Sequence, residues 1–213
     1  MTLLIFSRGV PMLRGGDEFA QTLNGNNNPY KIDSVATWHN FWAIASHSPN
    51  RIPTGGAGAY HDNYGQDLSH GTHNALFEFT RALLALRAKH PCLRQDKFAD
   101  FELDAGDDVT FLFKRQDSES DLEGWERCLS LHIDGSAIGD HDFALLINMH
   151  GEPVEFRLPA AAEREPWLRL LDTAAWAEPS ANLFDPAESP RFAGRSSYWV
   201  HPHSIAAFIQ VRP

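Results

Sequence analysis

Phe143-Ala144-Leu145-Leu146-Ile147 is apolar at every position. A short continuous apolar run of this kind marks a strand covered on both faces, in the middle of a sheet. Around it the pattern has period two: Val109-Thr110-Phe111-Leu112-Phe113, Val154-Glu155-Phe156-Arg157-Leu158 and Ile205-Ala206-Ala207-Phe208-Ile209-Gln210-Val211. Alternate residues of a strand share a face, so these segments read as strands. Turn clusters such as Asp104-Ala105-Gly106-Asp107-Asp108 separate them, and Arg115 to Arg127 reads as an acidic insertion between strands. Several short strands within about 120 residues predict an antiparallel sandwich.

Before Pro91 the period changes. Leu76, Phe79, Leu83, Leu86 and His90 recur at spacings of three and four, which predicts a helix. Asn74 or Thr72 can cap its start, and Arg87, Lys89 and His90 suit the negative end of its dipole. The change of period places a domain boundary near residues 91 to 95. From Gln21 to Asn74 the chain is rich in Asn, Gly, Ser, His and Asp, with aromatic anchors at Tyr30, Trp38, Phe41, Trp42, Tyr60 and Tyr64. That predicts a loop of about fifty residues, a length usually kept for function. Earlier still, Leu3 to Phe6 reads as the end of a helix with Gly9 as its stop, and Val10-Pro11-Met12-Leu13 as a short buried strand. A Gly-hinged loop, Arg14-Gly15-Gly16-Asp17-Glu18, follows it. Such a strand needs sheet neighbours that residues 1 to 90 do not supply.

Composition narrows the partners. In 213 residues, 18 Lys and Arg stand against 28 Asp and Glu, a net charge of −10. No basic stripe for nucleic acid is present. No run approaches the roughly 18 apolar residues of a membrane span, and no export signal is visible at Met1-Thr2-Leu3-Leu4-Ile5-Phe6-Ser7-Arg8. The compartment stays open, with the cytoplasm slightly favoured. Cys92 and Cys128 read as two isolated buried thiols rather than a disulfide framework.

Few segments carry chemistry. Asp17 and Glu18 suggest paired carboxylates, yet adjacent side chains diverge, and a hydrogen-bonded loop anchor is the simpler reading. Asn24-Gly25-Asn26-Asn27-Asn28-Pro29-Tyr30 concentrates amides, which donate and accept like the hydroxyls of a sugar. Tyr30, Trp38 and Trp42 can supply flat faces for sugar rings; an Asn-rich turn series with aromatic packing explains the segment equally well. His70 with His73, and His201 with His203, lack a third ligand, and the Asp-rich turns at 104–108 and 134–142 lack the pattern of a calcium loop. No metal is expected there. Serine-hydrolase, nucleotide-hydrolase and dinucleotide fingerprints do not occur, so no cofactor is expected.

Read together, Gly9 to Glu18, Thr22-Leu23, Asn26-Asn27-Asn28, Tyr30, Asp33-Ser34 and Thr37-Trp38 form a pattern. It continues through Leu86 to Arg94, Ile133 to Ser136 with Ile138 to Asp140, Leu158-Pro159 and Leu171-Asp172-Thr173. This pattern resembles the C-terminal part of bacterial isoamylase and the related glycogen debranching enzymes, in glycoside hydrolase family 13 of the alpha-amylase superfamily. The resemblance covers nearly the whole chain. It departs at His39-Asn40-Phe41 and in the long Trp42 to Asn74 loop.

The resemblance implies an α+β fragment. Residues 1–92 would be the end of helix seven, strand eight, a long loop and helix eight of a (β/α)8 TIM barrel, and 93–213 an antiparallel β-sandwich. It implies cleavage of alpha-1,6 branch linkages in glycogen or amylopectin-like glucans. The family's catalytic Asp, Glu and Asp lie on strands four, five and seven, before Met1, so no catalytic residue falls in this chain and it is expected to be inactive alone. Asn26, Asn27, Asn28, Tyr30 and Trp38 are expected to bind the branched glucan, with Asp17 and Glu18 anchoring the loop. The alternatives are a sandwich that binds glucan or only buttresses a barrel, and a truncated gene remnant. Trp125, Trp167, Trp176 and Trp199 are the sugar-platform candidates, although strand tryptophans are expected to be core.

Overall fold

The structure, a computed structural model, describes residues 1–20, 27–28, 30–31, 39, 41, 44, 74–96, 108–161 and 165–210. The chain forms two compact units, one of Met1–Val10 with Leu86–Pro213 and the other of Pro11–Ala85.

The first unit is built on antiparallel sheets. Its strands are β1 (Thr110–Lys114), β2 (Cys128–Asp134), β3 (Asp142–Asn148), β4 (Val154–Arg157), β5 (Trp167–Asp172), β6 (Arg191–Phe192), β7 (Ser197–Val200) and β8 (Ser204–Gln210). Six of them run in the order β1-β2-β3-β8-β5-β6, and β4 pairs with β7 in a second sheet. Every residue of β3 and β8 is buried. Two different layers cover them. Ala144, Leu146, Ala206 and Phe208 join Trp167, Phe156, Leu158 and Val200 in one apolar cluster between the sheets. On the other face Phe143 meets the edge of Phe6, from the short helix Thr2–Phe6, at 5.8 Å between centroids and the His90 ring at 4.9 Å. This double cover is why the 143–147 segment carries no polar residue. Each large side chain so buried contributes roughly 1.5–3 kcal/mol.

Polar groups that enter this core are tied down. A helix of five residues leaves most of its carbonyls without an internal partner. The buried Arg87 guanidinium donates to the carbonyls of Ile5, Ser7 and Gly9, serving as the cap that the short helix lacks. Gly9 itself has φ 96°, the left-handed value expected of the residue that turns the chain away. Further along, His90 Nδ1 lies 2.8 Å from Asp140 Oδ1, while Asp140 also accepts the backbone N–H of Cys92 at 2.9 Å and of His141 at 2.8 Å. Burial would raise the Asp140 carboxyl, but the bonds from Cys92, His90 and His141 together hold it below the usual carboxylate range. Cys92 and Cys128 are both buried and free, and burial, with Asp140 adding to it, pushes the Cys92 thiol up.

The helix Ala75–Lys89 begins where its cap places it. Asn74 Oδ1 accepts the N–H of Phe77 at 3.0 Å, so Asn74 is the capping residue. Thr80, Leu83, Arg87 and His90 are buried along one face, at spacings of three and four.

One expectation fails. Val10 to Leu13 forms no strand, and Val10 is 90% exposed. Apolar composition favours a strand only where a neighbour completes its ladder of hydrogen bonds, and among the described residues none pairs with this segment.

Candidate functional site

The acidic loop is organised by its backbone. Gly16 has φ 99°, a conformation that a side chain would strain, and a single 3-10 turn, Asp17–Phe19, follows it. Glu18 Oε2 accepts the Gly16 N–H at 2.8 Å, so this carboxylate folds back on its own loop. Asp17 takes part through its main chain: its N–H donates to Arg14 and its carbonyl accepts from Ala20, while the residue is exposed. Phe19 is buried against Phe41 at 6.2 Å, and its carbonyl accepts Asn74 Nδ2 at 3.4 Å. The side-chain cap of the long helix thereby also holds the acidic turn.

Of the proposed glucan-binding residues, Asn26 and Trp38 lie outside the described residues. Asn27 and Asn28 are exposed, and Asn28 Oδ1 accepts the Tyr30 N–H at 3.1 Å, an Asx turn. The Tyr30 ring is 76% exposed, with Lys31 Nζ at 5.8 Å from its centroid. The structure thus brings Asn28 and Tyr30 together: a flat phenol ring stands clear of an amide-rich turn. Such a ring can stack on the C–H face of a pyranose while neighbouring amides meet its hydroxyls.

A second aromatic group was not evident in the sequence, because its members come from separate segments. Arg169 of β5 lies under the ring of Phe184 at 3.9 Å and that of Trp176 at 4.9 Å, and its Nη1 donates to Tyr198 Oη at 3.1 Å. The Tyr198 hydroxyl in turn donates to Asp172 Oδ2 at 2.8 Å. Burial raises the pKa of this phenol against the opposing pull of Arg169, and Asp172 adds to the rise. Arg169 Nε is buried without an acceptor and faces aromatic rings instead. Asp172 Oδ1 holds the N–H of Ala174 at 2.9 Å, which leaves the cluster a structural pin rather than an open site.

The expectation that the tryptophans are core holds for Trp167 alone, which is fully buried with its indole N–H donating to the Pro159 carbonyl at 3.0 Å. Trp125, Trp176 and Trp199 are exposed, Trp199 to 59%. Trp125 sits in the turn between β1 and β2, Trp176 leans on Phe184 and Arg169, and Trp199 stands on the outer side of β7. The signal that could have found the last one is the pair Tyr198-Trp199: adjacent residues of a strand face opposite ways, so both rings cannot enter one core. The aspartates of the 134–142 segment are likewise taken up locally. Asp134 accepts the Ser136 N–H, and Asp142 accepts the Gly135 N–H and pairs with His132. Among the described residues no three metal-ligating side chains stand together.

Comparison with known proteins bears on the whole chain. Residues 114–209, from the end of β1 to β8, match the family described as isoamylase, C-terminal. An isoamylase of a Flavobacterium species is 30% identical over 98% of this chain and 25% of its own length. A protein named glycogen operon protein GlgX homolog, from Mycobacterium bovis, is 27% identical over 80% of this chain and 22% of its own. A glycogen debranching enzyme of Erwinia tasmaniensis is 34% identical over 46% of this chain and 11% of its own. The chain therefore spans about a quarter or less of the curated relatives that it matches.

Proposed function

We propose, from the premise that this chain is a relative of the isoamylases and glycogen debranching enzymes through their C-terminal part, that it serves an enzyme cleaving alpha-1,6 branch linkages of glycogen-type glucans. The observation that carries this reading is the 30% identity to an isoamylase across 98% of the chain. Residues 1–92 are the closing portion of a barrel and 93–213 the sandwich that supports it. The catalytic carboxylates belong to the part of the enzyme's length that this chain does not span, so these residues by themselves do not hydrolyse glucan. The chemistry proceeds with retention: one carboxylate forms a covalent glycosyl intermediate, and another acts first as acid and then as base.

This chain's share of the cleft is the loop after Glu18. Asn26, Asn27, Asn28, Tyr30 and Trp38 line the branched glucan, and Asp17 and Glu18 anchor the turn from which the loop departs. The exposure of Tyr30 and the bond that Glu18 accepts from the Gly16 N–H support these roles.

The test is to express the reading frame as it extends upstream of codon 1, and the 213-residue chain separately, and to assay both on amylopectin by reducing ends and iodine colour. The longer product should release linear chains and deepen the iodine stain, while the 213-residue chain does neither. Hydrolysis with fading colour would mean alpha-1,4 cleavage and would overturn the reading. In the longer enzyme, Tyr30→Ala should lower kcat/KM on branched glucan by about tenfold or more, as expected when an aromatic stacking contact is lost. Unchanged activity removes Tyr30 from the cleft.

A further inference from the structure

We propose that the outer face of the β4–β7 ribbon is a glucan-binding platform centred on Trp199. The choice of glucan rests on the function proposed above; the site itself rests on the geometry of the ribbon. Phe156 and Val200 enter the core cluster, with Val154 and Tyr198 packed against it. By alternation, Glu155, Arg157, Ser197 and Trp199 form the opposite face, and all four are exposed. The register sets Glu155 directly across from Trp199 and Arg157 across from Ser197. The indole is therefore flanked by a carboxylate, a hydroxyl and, on the diagonal, a guanidinium, at spacings of roughly 5–8 Å. Among the described residues neither Glu155 nor Arg157 is in an ion pair, and no ring covers the indole.

This is the chemistry that recognises a pyranose. The apolar C–H face of the sugar stacks on the indole, a carboxylate accepts from its equatorial hydroxyls, and a guanidinium donates to them. The face carries one negative and one positive group, so it matches a neutral polyol better than a phosphate or a peptide of one sign. Size points the same way. Two strands of four residues, each roughly 13 Å long and about 5 Å apart, offer room for a few sugar units. A stable protein partner needs about 800 Å² on each side.

The test uses the whole 213-residue chain in native gels cast with and without glycogen, with maltoheptaose as soluble competitor. Glycogen should retard the chain, and maltoheptaose should relieve the retardation. Trp199→Ala should weaken the apparent affinity about tenfold, Glu155→Gln less, and Trp199→Phe should restore most of it. Trp176→Ala, whose ring rests on Phe184 and Arg169, should migrate as the parent does. Retardation that survives Trp199→Ala, or a chain that glycogen does not slow, overturns the platform. Either result leaves the debranching reading to the longer enzyme's own assay, so the two can fail separately. A Trp199→Ala variant that keeps its glycogen affinity but sediments as a smaller species would make the face a protein contact and would also overturn the proposal.

Discussion

The β3–β8 pair and the β4–β7 pair lie in one sandwich and differ in how many of their faces are covered. The first is apolar on both sides, closed by the small sheet and by Phe6 and His90. The second turns Phe156 and Val200 inward and leaves Glu155, Arg157, Ser197 and Trp199 to water. A strand covered on both faces can contribute only stability, since nothing soluble reaches it. A strand covered on one face can carry a contact without endangering the core beneath. Substitutions should therefore separate along this line, with large stability losses and no specific binding defect in β3, and the reverse in β7.

The largest expected effect is at Phe143, which belongs to the layer that packs Phe6 and His90. Phe143→Ala should destabilise the chain by roughly 3–5 kcal/mol, read from urea unfolding followed by circular dichroism. A loss under about 0.5 kcal/mol, the range of a surface substitution, would mean that this face is not closed as described.

Next comes Asp140, whose carboxylate gathers His90, Cys92 and His141. Asp140→Ala leaves these donors without an acceptor and should cost about 2–3 kcal/mol. The group also predicts a pH dependence. Its folded pKa is depressed, so its stabilisation is fully present above the unfolded carboxyl pKa of about 3.9 and is lost as pH falls through the lower, folded value. Parent and Asp140→Asn should therefore differ most at neutral pH and converge below about pH 4; parallel curves would show that the carboxylate charge plays no part.

The thiols give a smaller and purely chemical contrast. Cys92 is buried and its thiol is pushed up, so it should resist iodoacetamide at pH 8 in the native chain and react once urea unfolds it. Rapid native labelling would show that the helix end opens readily. The smallest expected effect is on the exposed side of the comparison: Trp199→Ala should shift unfolding by no more than about 0.5 kcal/mol, and a larger loss would make Trp199 part of the fold rather than its surface.

How far the sequence discloses this arrangement depends on the segment. β3 is legible because double cover demands an uninterrupted apolar run, and β1, β4 and β8 follow from their spacing. Trp167 to Asp172 carries no strand pattern in the sequence, and the register shift between Arg169 and Leu171 supplies the reason: a bulge breaks the alternation that period two relies on. β2 hides behind Ser130 and His132, polar residues satisfied by Ser118 and Asp142 from elsewhere in the chain. Val10 to Leu13 misled in the opposite direction, since apolar composition says nothing about a pairing partner. For the loop site, the Asx turn at Asn28 was foreseeable from Asn chemistry, whereas the exposure of Tyr30 depends on packing that no local pattern encodes. The outward tryptophans belong to the same class, because one side chain serves both cores and platforms.

Arg87 has a consequence for the timing of folding. A helix of five residues is too short to persist alone, and the side chain that caps Ile5 is 82 positions further along. At ribosomal speeds of about 5–20 residues per second, the Leu3-Leu4-Ile5-Phe6 segment waits roughly 4–16 s for that arginine to be synthesised, and longer for Phe143. Until then the carbonyl of Ile5 lacks its cap, so the order of this helix is fixed by residues made well after it rather than by its own sequence.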